Sequence, residues 1–513
     1  MRIVVGGNDF LAFETTKWLL KNKENVIAIF SENRGNSWEI NFSSKALEIT
    51  KELNIPFIQG NLNYYEDYLN ELKPDIIFPF RCKNIINKNI LDIPEKGCVH
   101  IHYGDLPKYA GGAPIASAIL ANEKYVVPTM QYMAEKVDSG DIISKIKVDI
   151  SPGTRKVMLS ESRELVINGL TSYEAYNKCN LMSLRLFKDT YYNLKEGRIN
   201  PIKQNINDIE YKFLDEVDYG YDRLIDENES KKLTESKIKA FTFPPAQVPI
   251  IKIGNRYKDI VLYPNLESMA QEIADYRNES KSDIMKLYNE ARSKYPGYVK
   301  WTYITENEWV NKKIDTSSSK SLKQFYSKTE NYIFELMENW SIVHKNKMAH
   351  SVVTILKNHG VKKLLSYGTG IGQDVIYYYH AGMQVHAADI PGKTLEFAKW
   401  RFNQYCMDIG IIEISDDYPL KENYDAITVF EVFQHVIDPV KLAKHLYDHL
   451  HKNGLLIFTS KFENSYKLAL KNNEKYSRTF LNELCAYGFK IVKKRGLWGK
   501  GDNKRYLYVL IKS

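Results

Sequence analysis

Two histidines and an aspartate in the first third of the chain are of the types that move protons near neutral pH. His100 and His102 alternate in a short apolar run, so both side chains are expected on one face of a strand. A Pro- and Gly-rich turn follows at 106–114, and Asp138 lies in a later turn that ends at Gly140. A histidine that meets a carboxylate across a fold can act in general acid–base chemistry. These residues form the first candidate site.

A second candidate site lies in a glycine-rich turn of the last third. Gly368, Gly370 and Gly372 follow an apolar strand pattern and precede a helical one, an arrangement in which backbone amides approach a phosphate or a nucleoside. The dinucleotide fingerprint needs its third glycine one place later, where Gln373 stands, so NAD is disfavoured. Asp389 ends the next predicted strand, at the edge where an open parallel sheet binds its ligands.

Length and charge limit the classes of protein to which the chain can belong. At 513 residues it is too long for one hydrophobic core, so two or three domains are expected. The net charge of +8 comes from lysines that interleave with acids. This pattern favours a mixed solvated surface, with mild attraction for anionic substrates, over a nucleic-acid groove. The five cysteines are scattered and indicate neither a disulfide framework nor a zinc site, so we expect no bound metal.

The amino terminus and the hydropathy predict a cytoplasmic location. The chain begins on a strand pattern, so we expect no signal peptide. No apolar run approaches the ~20 residues of a membrane span, so none is expected.

Strand and helix patterns alternate in both halves of the chain. Short apolar strands between helical patterns predict a buried parallel sheet with helices on both faces. We expect the strand with the two histidines to be a further member of the first sheet. A second sheet begins near residue 362 and is closed by an antiparallel pair at 488–492 and 506–511.

The predicted fold class is α/β, with two Rossmann-like doubly wound sheets joined by a small β-rich annex and a helical connector. The alternation of strand and helix patterns changes near residue 200, and a hairpin is predicted at 250–263. The predicted domains are a catalytic domain at 1–200, an accessory domain at 201–265, a connector at 266–340 and a second catalytic domain at 341–513.

The histidine strand, its turn and the later Asp-x-Gly resemble the formyl-tetrahydrofolate-dependent formyltransferases, over about residues 1–263. The signature of that family is an Asn-x-His strand, a Leu-Pro-x-x-x-Gly turn and an Asp-x-Gly. The resemblance implies formyl transfer from 10-formyltetrahydrofolate to an amine. It places His102 on the family's histidine and Asp138 on the carboxylate that orients it, with either one as acceptor of the amine proton. Such a transfer needs a donor for the oxyanion and a base.

His100 departs from that signature, because it stands where the family has asparagine. An amide nitrogen always donates, whereas a neutral imidazole donates from only one of its two nitrogens. His100 is therefore either a working replacement for the amide or a mark of altered or lost transfer.

Two branches of the family differ in the amine that they formylate. Methionyl-tRNA formyltransferases use a basic insertion early in the first domain. Here the segment 31–39 carries two acids and one arginine, which is poor material for binding phosphate groups. The resemblance to nucleotide-sugar N-formyltransferases fits better, and the Phe-Pro-Pro turn at 243–245 is similar to one in their annex. We expect a nucleotide-linked amino sugar as the small-molecule substrate and no nucleic-acid partner.

The glycine turn, Asp389 and the segment 430–435 together resemble the class I S-adenosylmethionine-dependent methyltransferases, over about residues 340–513. The resemblance implies that the three glycines let the backbone approach the methionine part of S-adenosylmethionine. It also implies that Asp389 binds the two ribose hydroxyls.

The same resemblance implies roles for further residues. Asp416 is expected to accept from the adenine amine, Glu431 to lie on the cofactor side, and His435 to be a base or a packed histidine at a helix start. Ser366 stands where the family often has an acid, which would weaken the contact with the methionine amino group.

The combined expectation is a bifunctional enzyme of surface polysaccharide biosynthesis. It would formylate an amino sugar on a nucleotide carrier and methylate the same or a related small molecule. The alternatives are a formyl-tetrahydrofolate hydrolase, formylation of another amine such as a natural product or tRNA, and a non-catalytic platform fused to an active methyltransferase. Self-association is left open.

Overall fold

The computed structural model divides the chain into two units, which are described separately. The first comprises Met1–Pro152, Val157–Val261 and Gln404–Asp408. The second comprises Gly153–Lys156, Leu262–Asn403 and Ile409–Ser513. The structure describes the residues 1–32, 37–82, 84–158, 164–211, 224–226, 229–243, 249–253, 256–260, 262–295, 299, 301–415, 420–460, 462, 470–497 and 505–513. The predicted boundaries at 200, 265 and 340 stay predictions, but residues 266–340 group by their contacts with the second unit.

A parallel four-stranded sheet in the order β3-β2-β1-β4 begins the first unit. Its strands and the intervening helices are β1 (Arg2–Gly7), α1 (Phe10–Lys21), β2 (Asn25–Ser31), α2 (Ser37–Leu53), β3 (Phe57–Gln59), α3 (Glu66–Leu72) and β4 (Ile76–Phe80). Ile3 and Val5 pack in one apolar cluster and Val4 packs in another. Because neighbouring residues of a strand point to opposite faces, both faces of this sheet are covered, as predicted.

The strand with the two histidines corrects one prediction. After α4 (Lys88–Leu91), β5 (Val99–His102) joins a three-stranded sheet with β7 (Thr129–Tyr132) and β8 (Ile142–Lys145), and both pairings are antiparallel. A single parallel bridge, Ile77–Cys98, links β4 to the start of this strand. An apolar run has the same composition in either kind of sheet, so its pairing could not be read from the sequence.

The rest of the first unit surrounds these strands. Its elements are α5 (Pro114–Leu120), β6 (Tyr125–Val126), β9 (Val148–Asp149), the end of β10 (Thr154–Met158), β11 (Glu164–Asn168), α6 (Ser172–Lys195), β12 (Leu224–Ile225), α7 (Lys231–Phe241), β13 (Ile250–Ile253) and β14 (Arg256–Asp259). The first three residues of β10 belong to the second unit. The antiparallel pairing of β13 and β14 confirms the predicted hairpin. Its turn at 254–255 and the prolines at 244–245 lie outside the described residues.

A seven-stranded sheet in the order β18-β17-β16-β19-β20-β22-β21 forms the second unit. The elements from the first strand of this sheet onward are β16 (Lys363–Tyr367), α14 (Gln373–His380), β17 (Gln384–Asp389), α15 (Lys393–Gln404), β18 (Gly410–Glu413), β19 (Tyr424–Phe430), α16 (Pro439–Asp448), β20 (Leu450–Thr459), α17 (Tyr476–Tyr487), β21 (Phe489–Gly496) and β22 (Tyr506–Lys512). The first five strands of the order are parallel, and the predicted closing pair is antiparallel.

In the described part of the second unit, six helices precede that sheet. After β15 (Leu262–Pro264) they are α8 (Leu266–Arg277), α9 (Lys281–Lys294), α10 (Thr302–Asn311), α11 (Ser319–Lys328), α12 (Asn331–Trp340) and α13 (Val343–Asn358). Buried residues of these helices, such as Met269 and Met337, share an apolar cluster with Ile371 of the glycine turn and Phe397 of α15. The segment predicted as a connector is thus part of the core of the second unit.

Both units carry the mixed α/β fold with parallel sheets that was predicted. Among the helices in the described part of the chain, none has the length and apolar character needed to cross a bilayer.

Candidate active sites

Asp138 is the centre of the first candidate site. Its Oδ1 lies 3.7 Å from His100 Nε2, and its Oδ2 lies 3.5 Å from His102 Nδ1. The side chains of His102 and Asp138 are buried, whereas the side chain of His100 is 18% exposed. The structure therefore brings together the three residues that the sequence predicted as catalytic.

The turn after β5 holds two of these side chains in place. Gly111 N donates to Asp138 Oδ2 at 2.9 Å, and His102 Nε2 lies 2.6 Å from Tyr109 O. A carbonyl oxygen only accepts, so His102 carries a proton on Nε2. Gly104 leaves room for this contact, because a Cβ there would lie 2.6 Å from His102 Nε2. When its second nitrogen is protonated as well, His102 can donate from Nδ1 toward Asp138.

Two glutamines that no motif marks complete this site. Gln131 lies opposite His100 in the register of β5 and β7. Its Nε2 lies 2.9 Å from His100 Nε2 and donates to Asp138 Oδ1 at 3.0 Å. Gln204 Nε2 donates to Gln131 Oε1 at 3.2 Å. Neither glutamine carried a signal of its own in the sequence.

Burial sets the charge of His100. It lowers the pKa of this imidazole to about 4, the Asp138 carboxylate opposes the shift, and the neighbouring His102 adds to it. His100 is therefore neutral near pH 7, where it donates one hydrogen bond and accepts another.

The second candidate site lies in the second unit, where β16 and β17 end. Gly368, Gly370 and Gly372 have φ angles of 74°, 55° and 73°, in the left-handed region that favours glycine. A Cβ at Gly368 would lie 2.2 Å from Val432 Cγ2, and one at Gly370 would lie 2.8 Å from Leu336 Cδ1. The turn therefore presents bare backbone where a side chain would collide with the neighbouring walls.

Asp389 is attached to that turn by its carboxylate. Its Oδ2 accepts from Gly370 N at 2.6 Å and its Oδ1 accepts from Ile390 N at 2.7 Å. Burial raises the pKa of Asp389 to about 6, so the carboxylate is mostly ionised at neutral pH. The predicted pair of glycine turn and strand-end acid is thus assembled.

A cavity of about 1270 Å³ opens beside the glycine turn and Asp389. The turn, Asp389 and Glu431 line one part of it. The other part is lined by residues of the helices before the sheet, among them Tyr326, Tyr332, Glu335, Trp340 and Lys345. The helices predicted as a connector therefore build a wall of this cavity.

Asp374 is a cavity residue that sequence reasoning missed. It lies in the first turn of α14 and is buried, and it accepts a hydrogen bond from Ser366 Oγ at 2.7 Å. Burial raises its pKa to about 6. Ser366 was noted for lacking a carboxyl group, and Asp374 supplies one next to it. The signal was an acid two places after the last glycine, at a helix start.

Glu431 also lines the cavity and is held by a cation. It forms an ion pair with Arg505 and accepts from Gln434 Nε2 at 3.0 Å. Burial pushes the pKa of Glu431 up, but Arg505 and Lys345 outweigh it and hold the pKa below its ordinary value. Glu431 is therefore a carboxylate at neutral pH.

The remaining predicted residues of the second site are His435 and Asp416. His435 lines the cavity, and its Nδ1 lies 3.2 Å from Tyr326 Oη of α11. Asp416 lies outside the described residues.

Family models match a part of each unit. Residues 54–165 match the family described as formyl transferase, and residues 341–492 match the family described as methyltransferase domain. The chain therefore contains a formyl transferase domain in its amino-terminal half and a methyltransferase domain in its carboxy-terminal half.

Curated relatives match the first of these domains. A methionyl-tRNA formyltransferase of Bacillus pumilus is 37% identical over 139 residues, which is 27% of this chain and 39% of that protein. The bifunctional polymyxin resistance protein ArnA of Wigglesworthia glossinidia brevipalpis is 28% identical over 247 residues, 48% of this chain and 35% of that protein. The chain thus spans less than half the length of these relatives.

Solved structures overlap with about half of the chain. A 4-N formyltransferase from Francisella tularensis has 18% identity and a TM-score of 0.40, covering 51% of this chain and 96% of its own. An N-formyltransferase from Helicobacter canadensis in complex with folinic acid and dTDP-3-aminofucose has 18% identity and a TM-score of 0.36. The overlap covers 49% of this chain and 84% of that protein's chain.

Proposed function

We propose that this chain, with its formyl transferase and methyltransferase domains, is an enzyme with two activities. The first unit transfers a formyl group from 10-formyltetrahydrofolate to an amine, and the second transfers a methyl group from S-adenosylmethionine. The observation that carries the first activity is the placing of one carboxylate, Asp138, against both His100 and His102.

The residues of the first unit suit acyl transfer. 10-Formyltetrahydrofolate supplies an activated formyl group when bound. A neutral His100 donates one hydrogen bond toward the charge that develops on the formyl oxygen. The pair formed by Asp138 and His102 Nδ1 accepts the proton that the attacking amine loses, while His102 stays tied to Tyr109 O through Nε2. The same pair returns a proton to the tetrahydrofolate nitrogen as its bond to the formyl carbon breaks.

The proposed acceptor is an amino sugar on a nucleotide carrier. The segment at 31–39, with two acids and one arginine, argues against an RNA acceptor. Its residues 33–36 lie outside the described part of the chain. The product would enter surface polysaccharide, and the cytoplasmic location stays a prediction from the sequence.

The cavity of the second unit fits S-adenosylmethionine. A Cβ on the glycine turn would collide with its walls, and two carboxylates line the cavity beside the turn, the half-buried Asp389 and the buried Asp374. S-adenosylmethionine supplies an electrophilic methyl group when bound. We propose that Asp389 accepts hydrogen bonds from the ribose hydroxyls. Asp374 would bind the cationic amino group, the role that Ser366 lacks the charge to play.

The proposed methyl acceptor is a hydroxyl group of the same or a related sugar. His435 lines the cavity with Tyr326 at hydrogen-bond distance from its Nδ1. We propose His435 as the base that takes the hydroxyl proton.

One experiment separates the acceptor classes. The purified chain is incubated with 10-formyltetrahydrofolate and either a panel of amino-sugar nucleotides or initiator methionyl-tRNA, and products are weighed by mass spectrometry. A gain of one formyl mass on a sugar nucleotide supports the proposal. Formylation of the tRNA alone refutes the proposed acceptor. Release of tetrahydrofolate without any formylated amine indicates a hydrolase, and the absence of all products refutes transfer.

A further inference from the structure

The orientation of Gln204 is determined by its surroundings. Its Nε2 lies 2.6 Å from Gly140 O and 3.0 Å from Asp138 O, besides 3.2 Å from Gln131 Oε1. Carbonyl oxygens only accept, so the amide nitrogen, and not the amide oxygen, must face them. A flipped Gln204 would put oxygen against two oxygens.

This orientation determines that of Gln131. Because Gln204 brings a donor to it, the atom of Gln131 that faces Gln204 must be its oxygen. Its nitrogen then faces Asp138 Oδ1 at 3.0 Å and His100 Nε2 at 2.9 Å. The carboxylate confirms the assignment from the other side, since an amide oxygen would be repelled there.

Gln131 in turn selects the tautomer of His100. An amide N–H that points at Nε2 needs a lone pair there, so a neutral His100 carries its proton on Nδ1. Protonation of Nε2 would set two donors against each other at 2.9 Å. Among the described residues, none is found to accept from Nδ1, and the ring keeps part of its exposure. Its single donor therefore remains available to a ligand.

We propose that Gln131 and Gln204 are positioning residues that hold His100 as the Nδ1–H tautomer, so that this ring donates one hydrogen bond where the resemblance expects a side-chain amide. The inference rests on the proposed formyl transfer for its catalytic meaning. His100 is then a working replacement for the asparagine of the family signature. A free imidazole has two tautomers, whereas in this network His100 has one, with its single N–H donor at Nδ1.

The tautomer is measured directly by ¹⁵N nuclear magnetic resonance of the full chain with ¹⁵N-labelled histidine. The signals of His100 are assigned as those that disappear from the spectrum of His100→Asn. We expect a protonated Nδ1 and an unprotonated Nε2 from pH 6 to pH 8. A protonated Nε2 in the wild type would overturn the inference. This readout needs no activity, so it stands apart from any failure of the proposed function.

The catalytic consequence is tested with Gln131→Met, which keeps the size of the side chain and removes its amide. We expect Nε2 of His100 to gain proton occupancy and formyl transfer to fall at least about tenfold. In a His100→Asn background, whose amide has no tautomers, the same change should cost less than about threefold. An equal loss in both backgrounds would indicate a merely structural role and refute the proposal. Gln59→Met, an exposed glutamine in β3, is the matched control.

Discussion

Gly111 and Asp138 are joined by a 2.9 Å hydrogen bond from a backbone amide to a carboxylate, although 27 positions separate them in the chain. Asp138 Oδ2 accepts this bond, and Asp138 Oδ1 accepts a second bond from the side-chain amide of Gln131. The two bonds orient the carboxylate toward both histidines. Asp138 itself has φ of 55°, a conformation that aspartate adopts more readily than most residues. The loop thus holds the carboxyl group in one place.

Asp138→Asn should therefore lower formyl transfer by about 10²- to 10⁴-fold, the usual range for a lost acid–base group. The amide keeps the shape of the side chain but removes the charge next to His102. Initial rates of formylation measure the effect. Asp92→Asn removes a carboxylate from an exposed ion pair with Lys88 and should leave the rates unchanged. Near-wild-type rates in Asp138→Asn would refute the assignment.

The lowered pKa of His100 makes the first unit less stable in acid. The unfolded chain binds a proton at a pKa near 6.5, whereas the folded chain binds it only near 4. Between these values the unfolded state holds more protons, so the free energy of unfolding falls as the pH falls, by about 2 kcal/mol at pH 5. Above pH 6.5 this contribution is constant.

The prediction is checked by hydrogen exchange of the amides of β5 and β7 at pH 5 and pH 7.5, corrected for the intrinsic pH effect. Exchange is preferred to bulk unfolding because two units need not unfold together. His100→Asn should remove the acid destabilisation. The same pH dependence in the variant would show that another group causes it.

Asp389→Asn should weaken binding of S-adenosylhomocysteine by about 10- to 100-fold, because hydrogen bonds to a charged group contribute about 1.5–3 kcal/mol. Isothermal titration calorimetry gives the dissociation constant. Asp275→Asn, an exposed change in α8, is the matched control. An unchanged constant in Asp389→Asn would remove the proposed cofactor site.

Asp374→Asn should discriminate between parts of the cofactor. We expect it to weaken S-adenosylhomocysteine at least about tenfold and to leave 5′-methylthioadenosine, which lacks the amino acid part, within about twofold. A double variant Ser366→Asp/Asp374→Ser, which returns the acid to the strand, should restore part of the affinity. Equal losses for both ligands would mean that Asp374 acts on the fold of the turn instead.

Gly368→Ala should destabilise the second unit more than Gly360→Ala does. The two glycines have similar φ angles of 74° and 67°, so both alanines carry about 1–2 kcal/mol of left-handed strain. A Cβ at Gly368 also meets the stiff Val432 at 2.2 Å, whereas nothing lies within 4 Å of one at Gly360. The collision should add about 1–3 kcal/mol. Thermal unfolding of both variants measures it, and equal losses would contradict the steric argument.

Local patterns accounted for much of the fold and for part of each site. The glycine turn and Asp389 were visible because a sharp turn between strand and helix constrains neighbouring residues. His100 and His102 were visible because two histidines alternate in an apolar strand, and Asp138 was visible through the Asp-x-Gly motif of the family that this strand resembles. Such features are written into short stretches of chain.

Features that depend on distant pairing were not visible. Gln131 matters because antiparallel register sets it opposite His100, and a glutamine in a strand has no signature of its own. Gln204 arrives from 66 positions beyond Asp138. The helices at 266–340 were predicted as a connector because charged residues dominate their composition. Their buried residues form an apolar cluster of the second unit, and other residues of the same segment line the cavity.

The bridge between Ile142 and Ile202 carries Gln204 to its place, through two backbone hydrogen bonds of 2.8 Å. This contact spans sixty residues, and contacts of long sequence separation form late because their loop entropy must first be lost. A nascent chain with β5 and β7 already paired would still hold a His100 that exchanges its proton between both nitrogens. Competence for formyl transfer would then require the segment near residue 204 to have paired with β8.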